Sequence, residues 1–252
     1  MDLNNKLIAV TGAGRGLGRA IALALAEQGA RLALIDVNRA DLEITEAELQ
    51  SRGGRCSLHV CNVADEGEVE ASFAAIHDLG PLAGLINCAG ILRDGLLIKM
   101  KEGVLTDKLS LAQWQAVIDV NLTGTFLCGR EGAALMARHG LGGVIINISS
   151  IARVGNMGQS NYAASKAGVA ALVVTWAREL SRHGIRVMGI APGVFATEMT
   201  AAMKPEAMDR MLHAIPAACL GEAHQLADAV RFILGNDYLS GRMIDLDGGL
   251  RL

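Results

Sequence analysis

The sequence predicts a three-layer α/β fold, a seven-stranded and mainly parallel sheet with helices on both faces. Short apolar runs of four to six residues alternate with longer helix-period stretches along the 252 residues, and parallel strands need the crossover connections that such helices supply. A glycine-rich turn, Thr11-Gly12-Ala13-Gly14-Arg15-Gly16-Leu17-Gly18, follows the first apolar run and opens the first helical one. That strand, turn and helix order suits a backbone built to approach a phosphate.

Taken in order, the strands are expected at Leu7 to Val10, Arg31 to Asp36, Cys56 to Cys61, Gly84 to Asn87, Val144 to Ile148, Arg186 to Ala191 and Met243 to Leu246. Helical periods fall near 17–28, 39–51, 66–78, 111–138, 161–182 and 223–234. Aromatics make up only 3% and glycines number 30, so the core must be built from small aliphatic side chains. No repeat, low-complexity tract or linker divides the chain, and residues 1–252 read as one domain. Two segments break the rhythm, 92–111 and 193–220, the latter carrying Pro205 and Pro216. Both follow strands. In an open α/β sheet the ligand crevice lies outside the carboxyl ends of strands, so these segments are expected to wall a substrate pocket.

A net charge of −3 without a long basic run argues against nucleic acid as a partner. The five cysteines Cys56, Cys61, Cys88, Cys128 and Cys219 are odd in number and lack metal-site spacing, so reduced thiols and no metal are expected. Cys56 and Cys61, an odd number apart in a strand-like run, should face opposite sides of the sheet. The first apolar run is four residues, too short for a leader's apolar core, and no stretch reaches the roughly 20 apolar residues that span a bilayer. A cytoplasmic protein with no membrane segment is expected.

Glycines at 12, 16 and 18 let the backbone turn tightly beside a pyrophosphate, and an acidic residue, Asp36, ends the second strand. Together they predict dinucleotide binding. The Asp36 carboxylate can accept from both adenosine ribose hydroxyls and would repel a 2′-phosphate, which favours NAD over NADP. Arg15 and Arg39 soften that repulsion, and Asp36 as a mere helix cap is the plainer alternative.

Tyr162 and Lys166 stand four apart in Tyr-Ala-Ala-Ser-Lys, one face of a helix. A phenol titrates near ~10, so work at neutral pH needs a shift of about two to three units. One ammonium about 4 Å away is worth on the order of 4 kcal/mol at an effective dielectric of about 20. Lys166 is therefore expected to lower the phenol. Ser149 and Ser150 follow the strand Val144 to Ile148, where a hydroxyl can hold a substrate oxygen or simply cap a turn.

These residues together resemble the short-chain dehydrogenase/reductase family in its compact form, over essentially the whole chain. The matching motifs are the turn at 11–18, Asn87-Cys88-Ala89-Gly90, Asn121 in Val-Asn-Leu-Thr-Gly, Ser149 thirteen residues before Tyr162, Lys166, Pro192-Gly193 with Thr197, and Asp247-Gly248-Gly249. The resemblance implies a Rossmann fold. It also implies that Tyr162 is the acid/base, Ser149 orients the carbonyl, Lys166 lowers the phenol and binds nicotinamide ribose, and Asn121 holds a relay water. Gly12, Arg15, Gly16, Leu17, Gly18, Asp36, Asn62, Val63, Asn87, Ala89, Gly90, Pro192, Gly193, Val194 and Thr197 correspond to cofactor contacts. Many members carry Asp where Asn62 stands, and Asn87 also reads as a plain loop amide.

Two branches look close, the 3-oxoacyl-carrier-protein reductases and the NAD-dependent type 2 3-hydroxyacyl-CoA dehydrogenases. Asn156 resembles the former's substrate contact, and Arg138 and Arg178 its basic pair for docking an acidic acyl carrier protein, although each arginine is equally a solvated helix charge. The segment Lys101 to Leu111 and the chain ending resemble the latter. Both exchange a hydride at C3 of an acyl thioester. Phe195, Met199, Met203 and Leu212 suit an acyl or steroid ligand, or are only helix packing. Another secondary alcohol such as a hydroxysteroid or sugar, and a non-catalytic NAD sensor or scaffold, are the alternatives. The resemblance implies a homotetramer through the helices at 111–138 and 161–182.

Overall fold

The computed structural model describes residues 1–196 and 205–251. Seven strands, β1 (Leu7–Thr11), β2 (Arg31–Asp36), β3 (Arg55–Val60), β4 (Leu82–Asn87), β7 (Gly143–Ile148), β8 (Ile185–Pro192) and β9 (Met243–Leu246), form one sheet in the order β3-β2-β1-β4-β7-β8-β9. Every neighbouring pair is parallel. The chain winds outward from β1 to β3, returns to β4 beside β1, and continues the other way. The reversal between β1 and β4 opens a crevice at their carboxyl ends, where both glycine-rich turn and Asn87 emerge.

Strand alternation divides the core. Ile8 and Val10 face α1 (Gly16–Ala26), α2 (Arg39–Ser51) and α8 (Ala223–Gly235), meeting Ile21, Leu42 and Val230. Leu7 and Ala9 face the opposite layer, α3 (Glu66–His77), α5 (Gly124–His139) and α6 (Ser160–Glu179), among Phe73, Leu127 and Val173. Cys56 packs with the first cluster and Cys61 belongs to the second, on opposite faces as their spacing predicts. All five cysteines are free. With few aromatics, close approach does the packing: a Cβ on Gly129 of α5 would lie 2.4 Å from the Trp176 ring of α6.

Two regions differ from expectation. The helix predicted over 111–138 is divided into α4 (Leu111–Ile118), a π-helical turn at Asp119–Thr123, and α5. Such turns interrupt the i to i−4 ladder and often mark functional positions; this one carries Asn121, fully buried. The segment 92–111 contains an antiparallel hairpin, β5 (Ile98–Lys101) and β6 (Val104–Lys108). Its two turn residues both have positive φ, Glu102 at 52° and Gly103 at 80°, which suits the right-handed twist of the flanking strands. Both hairpin strands are exposed throughout. Within 193–220 the described part includes α7 (Pro205–Ala214); Thr197, Met199 and Met203 lie outside the described residues.

Candidate active site

The glycine-rich turn is held by contacts that leave no room for larger residues. A Cβ on Gly18 would fall 2.0 Å from the Gly12 carbonyl oxygen, and one on Gly12, whose φ is +66°, would fall 2.9 Å from Ala89 Cα. Around Gly16, by contrast, a Cβ would meet nothing within 4 Å. Helix α1 begins there with Arg15 extended at its N-cap, no side-chain cap bond and no acidic residue in its first turn. Its leading N–H groups thus face an open cradle suited to an anion. Thr45, fully buried, donates to the carbonyls of Ala13 and Gly14, and Arg19 also bonds the Gly14 carbonyl, so the turn is braced from below.

Asp36 ends β2 with Oδ2 accepting from Gly14 N at 2.9 Å and Oδ1 from Asn38 N at 3.0 Å. A carboxylate offers about four acceptor positions, so it can take two ribose hydroxyls besides. Asn62 is exposed after β3, its amide oxygen accepting from Ala64 N, while Val63 is buried against Gly124. Leu17 packs partly on the core beneath the turn. Ala89 N donates to Thr11 Oγ1 at 3.1 Å, and Gly90 is exposed beside Asn121 and Lys166. Gly193 N donates to the Leu246 carbonyl, directly after Pro192, and the Val194 carbonyl accepts from Gly221 N. These groups stand at the carboxyl ends of β1, β2, β3, β4 and β8, and the exposed ones are a donor and acceptor set that fits a dinucleotide.

At the same edge, α6 presents Tyr162 and Lys166. The ammonium lies 5.6 Å from the phenol ring centroid and donates to the Ile148 carbonyl at 2.8 Å. Asn121 exchanges two bonds with Ile91, accepting from its N at 2.8 Å and donating to its carbonyl at 3.0 Å, and approaches Ser165 Oγ at 3.4 Å. The π-helical turn aims Asn121 inward, toward the segment after β4 and toward α6.

The two serines have different surroundings. Ser149, expected to orient the carbonyl, continues the pairing of β7 with β8 through its N–H to Ile190, is buried, and donates from Oγ to the Lys166 carbonyl at 2.8 Å. The half-buried Ser150 is the one whose hydroxyl acts on the Tyr162 phenol, favouring its ionised form. Strand alternation explains this. Asn147 and Ser149 point to the α6 face, and the next residue turns the other way. Distance along the chain to Tyr162 depends on loop length; side-chain direction does not.

The family model described as short chain dehydrogenase matches residues 6–207. The chain belongs to the short-chain dehydrogenase family. It is 39% identical over 260 residues to the human (3R)-3-hydroxyacyl-CoA dehydrogenase, covering 98% of this chain and 96% of the relative. To the 3-oxoacyl-acyl-carrier-protein reductase of Thermotoga maritima it is 36% identical over 254 residues, covering 99% of each. A solved 7α-hydroxysteroid dehydrogenase, complexed with NADH and 7-oxo glycochenodeoxycholic acid, superposes with a TM-score of 0.90 at 30% identity, covering 99% of this chain and 95% of that one. This short-chain dehydrogenase is accordingly an oxidoreductase acting on CH–OH and C=O groups, in a family that uses NAD or NADP.

Electrostatics in the dehydrogenase site differ from the expectation that Lys166 pulls the phenol down. Burial pushes the Tyr162 phenol above its ordinary value; the Ser150 hydroxyl opposes this, and the charge of Asp94 and, once it ionises, that of Cys88 add to it. Lys166 is itself nearly buried, and desolvation lowers it to about 8. Its ammonium donates to the Ile148 carbonyl, and the Ser150 hydroxyl is the group that favours the phenolate. Burial lifts Cys88 to about 11, which keeps it a neutral thiol at physiological pH.

Other predicted residues have partners of their own. Asn87, buried at the end of β4, donates from Nδ2 to Asn147 Oδ1 at 2.9 Å, leaving its own Oδ1 and the Asn147 Nδ2 unpaired within the protein. It ties two strands together and is not a loop amide. Asn156 is exposed and donates to Gln159 Oε1. Phe195 is buried in the main core, its ring against Gly221. Leu212 is half-buried on α7. Arg138 and Arg178 are exposed near the C-terminal ends of α5 and α6. Sixteen residues of helix separate Arg178 from Tyr162, about 24 Å along the axis. Among the described residues no helix is long and apolar enough to cross a membrane, and no group of three His, Cys, Asp or Glu could hold a metal ion.

Proposed function

We propose that this dehydrogenase uses NAD(H) to interconvert 3-oxoacyl and 3-hydroxyacyl thioesters. The observation that carries the reading is the convergence of Tyr162, Ser150, Lys166 and Asn121 at the crevice mouth, in a chain alike end to end to two enzymes named for those thioesters. Gly12, Gly16 and Gly18, the α1 N-terminus and Asp36 would hold the dinucleotide, with Asn62, Val63, Asn87, Ala89, Gly90, Pro192, Gly193, Val194 and Thr197 along it. When bound as NADH it supplies a hydride to the carbonyl carbon. Ser150 donates a hydrogen bond to the carbonyl oxygen and fixes it against Tyr162, which passes that oxygen its phenolic proton. Lys166 and Asn121 hold the path by which the phenol is reprotonated, and the oxidation reverses each transfer. Asp36, as a fixed negative charge, favours NAD over NADP.

Of the two thioesters, the CoA form is the better supported. A carrier protein seated on Arg138 and Arg178 would lie at the far end of α6 from this chain's own phenol. A hydroxysteroid is the second reading, favoured by the likeness to the steroid dehydrogenase. We also infer a homotetramer joined across α5 and α6, whose shared face carries exposed Phe126 and Val174 and a groove of about 340 Å³ beside Trp176. The test is kcat/KM for NADH and NADPH against a short 3-oxoacyl-CoA, its carrier-protein thioester and a ketosteroid. The CoA thioester with NADH is expected to lead; absence of thioester turnover with either cofactor would sink the substrate reading and leave the reaction class intact.

A further inference from the structure

Asp94 lies in the middle of three residues fastened to the loop that delivers Tyr162. On one side the Arg93 carbonyl accepts from Asn161 Nδ2 at 3.0 Å, and Asn161, fully buried, also accepts from Tyr162 N at 2.8 Å. On the other side Gly95 N donates to the Gly158 carbonyl at 2.8 Å, and Gly95 pairs with Gln159 as a parallel bridge. The Asp94 side chain is fixed as well, its Oδ2 accepting from Gln159 Nε2 at 2.9 Å. A carboxylate can only accept. The Gln159 amide must therefore turn its NH₂ to Asp94, which leaves its Oε1 to accept from Asn156 Nδ2 at 2.9 Å. Asn156, Gln159 and Asp94 thus form a directed chain of polar groups ending on a negative charge at the mouth of the site.

We propose that Asp94, clamped by Gln159 beside the loop that carries Tyr162, is a positioning residue that raises the pH at which Tyr162 exchanges its proton. Its charge acts on the phenol through space and helps to hold the proton on. The other groups facing Tyr162 have opposite or weaker roles. The Ser150 hydroxyl favours the phenolate, Cys88 stays a neutral thiol up to about pH 11, and the Lys166 ammonium, bound to the Ile148 carbonyl, loses its charge above about pH 8. Arg93, beside Asp94, turns its guanidinium to the Leu92 carbonyl. Asp94 is exposed, so its influence is screened by salt.

The consequence is directional. Carbonyl reduction consumes the protonated phenol and alcohol oxidation consumes the phenolate, so Asp94 extends reduction to higher pH and holds oxidation back at neutral pH. This kinetic half rests on Tyr162 being the acid/base; the ionisation half does not.

The chain has two tyrosines, Tyr162 and the wholly exposed Tyr238. In a Tyr238→Phe background, tyrosinate absorbance reads Tyr162 alone. Asp94→Asn keeps an acceptor for Gln159 while removing the charge, and is expected to lower the titration midpoint by about 0.5 to 1 unit at low salt, with the gap narrowing as salt rises. The pH profiles of oxidation and reduction should both move down by that amount. Gln159→Leu, which frees the carboxylate without discharging it, should move the midpoint less than Asp94→Asn does. An unchanged midpoint in Asp94→Asn overturns the proposal, as does a shift that salt leaves untouched. A midpoint that falls while both kinetic profiles stay in place upholds Asp94 and removes Tyr162 from the proton step.

Discussion

Ser149 and Ser150 are chain neighbours at the end of β7 whose hydroxyls serve different partners. Ser149 Oγ donates to the Lys166 carbonyl at 2.8 Å inside the protein, and the Ser150 hydroxyl favours the ionised form of the Tyr162 phenol. One anchors the helix that carries Tyr162 and Lys166, and the other is the serine that the proposed function sets against the substrate oxygen. Ser150→Ala is expected to lower kcat by about 100-fold or more with little change in stability. Ser149→Ala should show first as a stability loss of about 1 to 2 kcal/mol. Steady-state kinetics and urea unfolding of both variants decide between them; a larger turnover loss in Ser149→Ala would return the role to Ser149.

Lys166 gives a pH signature. Its ordinary value of 10.5 falls to about 8 in the folded chain, so between those values the unfolded chain binds more protons and stability rises with pH. Below about pH 8 the full penalty is present, on the order of 3 kcal/mol. Lys166→Met removes it and forfeits a hydrogen bond to Ile148 worth about 1 kcal/mol. The variant is expected to be inactive yet more stable at pH 7 by about 1 to 2 kcal/mol, with the advantage shrinking toward pH 10.5. Urea unfolding at several pH values checks this; an advantage independent of pH contradicts it.

Asp36 should govern cofactor choice. Asp36→Asn retains an acceptor for Gly14 N and discharges the site, so the NADPH to NADH ratio of kcat/KM is expected to rise about tenfold or more, equivalent to about 1.4 kcal/mol. A ratio that stays constant would mean that another residue selects the cofactor.

The seven parallel strands, the glycine-rich turn and the Tyr162–Lys166 face were legible in the sequence because each follows from a fixed period or from the steric needs of glycine. The hairpin at 98–108 was not. Its Glu102-Gly103 turn lacks the Asn-Gly or Asp-Gly signal, and its strands lack a buried face to impose alternation. The π-helical turn left no trace either, since Asp119 to Thr123 keeps the apolar rhythm of the flanking helices. Ser150 was within reach. The alternation of Ile146, Asn147, Ile148 and Ser149 already assigns Ser149 to the helix side, a firmer guide than counting residues back from Tyr162. For Phe195 the sequence left ligand contact and packing both open, because apolarity alone does not separate a pocket wall from a core.

The hairpin carries exposed Ile98, Met100, Val104 and Leu105, and its root is joined to the loop beside Tyr162. Because Leu109 N donates to the Leu97 carbonyl at 3.2 Å, residues 98–108 can be replaced by two glycines without parting the ends. The shortened enzyme is expected to keep its kcat/KM for short thioesters and to lose about fourfold for each methylene that the hairpin covers in longer ones. Equal loss at every chain length would mean that the hairpin supports the fold and does not meet the acyl chain.

The central claim is that Tyr162 delivers and receives the proton in a nicotinamide-dependent reaction. Its most direct test is Tyr162→Phe, assayed for NADH affinity by fluorescence and for single-turnover reduction of a short 3-oxoacyl-CoA. The account predicts affinity within about twofold of the parent and a rate lower by about 1,000-fold, in the range for loss of a general acid. A phenylalanine enzyme that still turns over near the parent rate would contradict it.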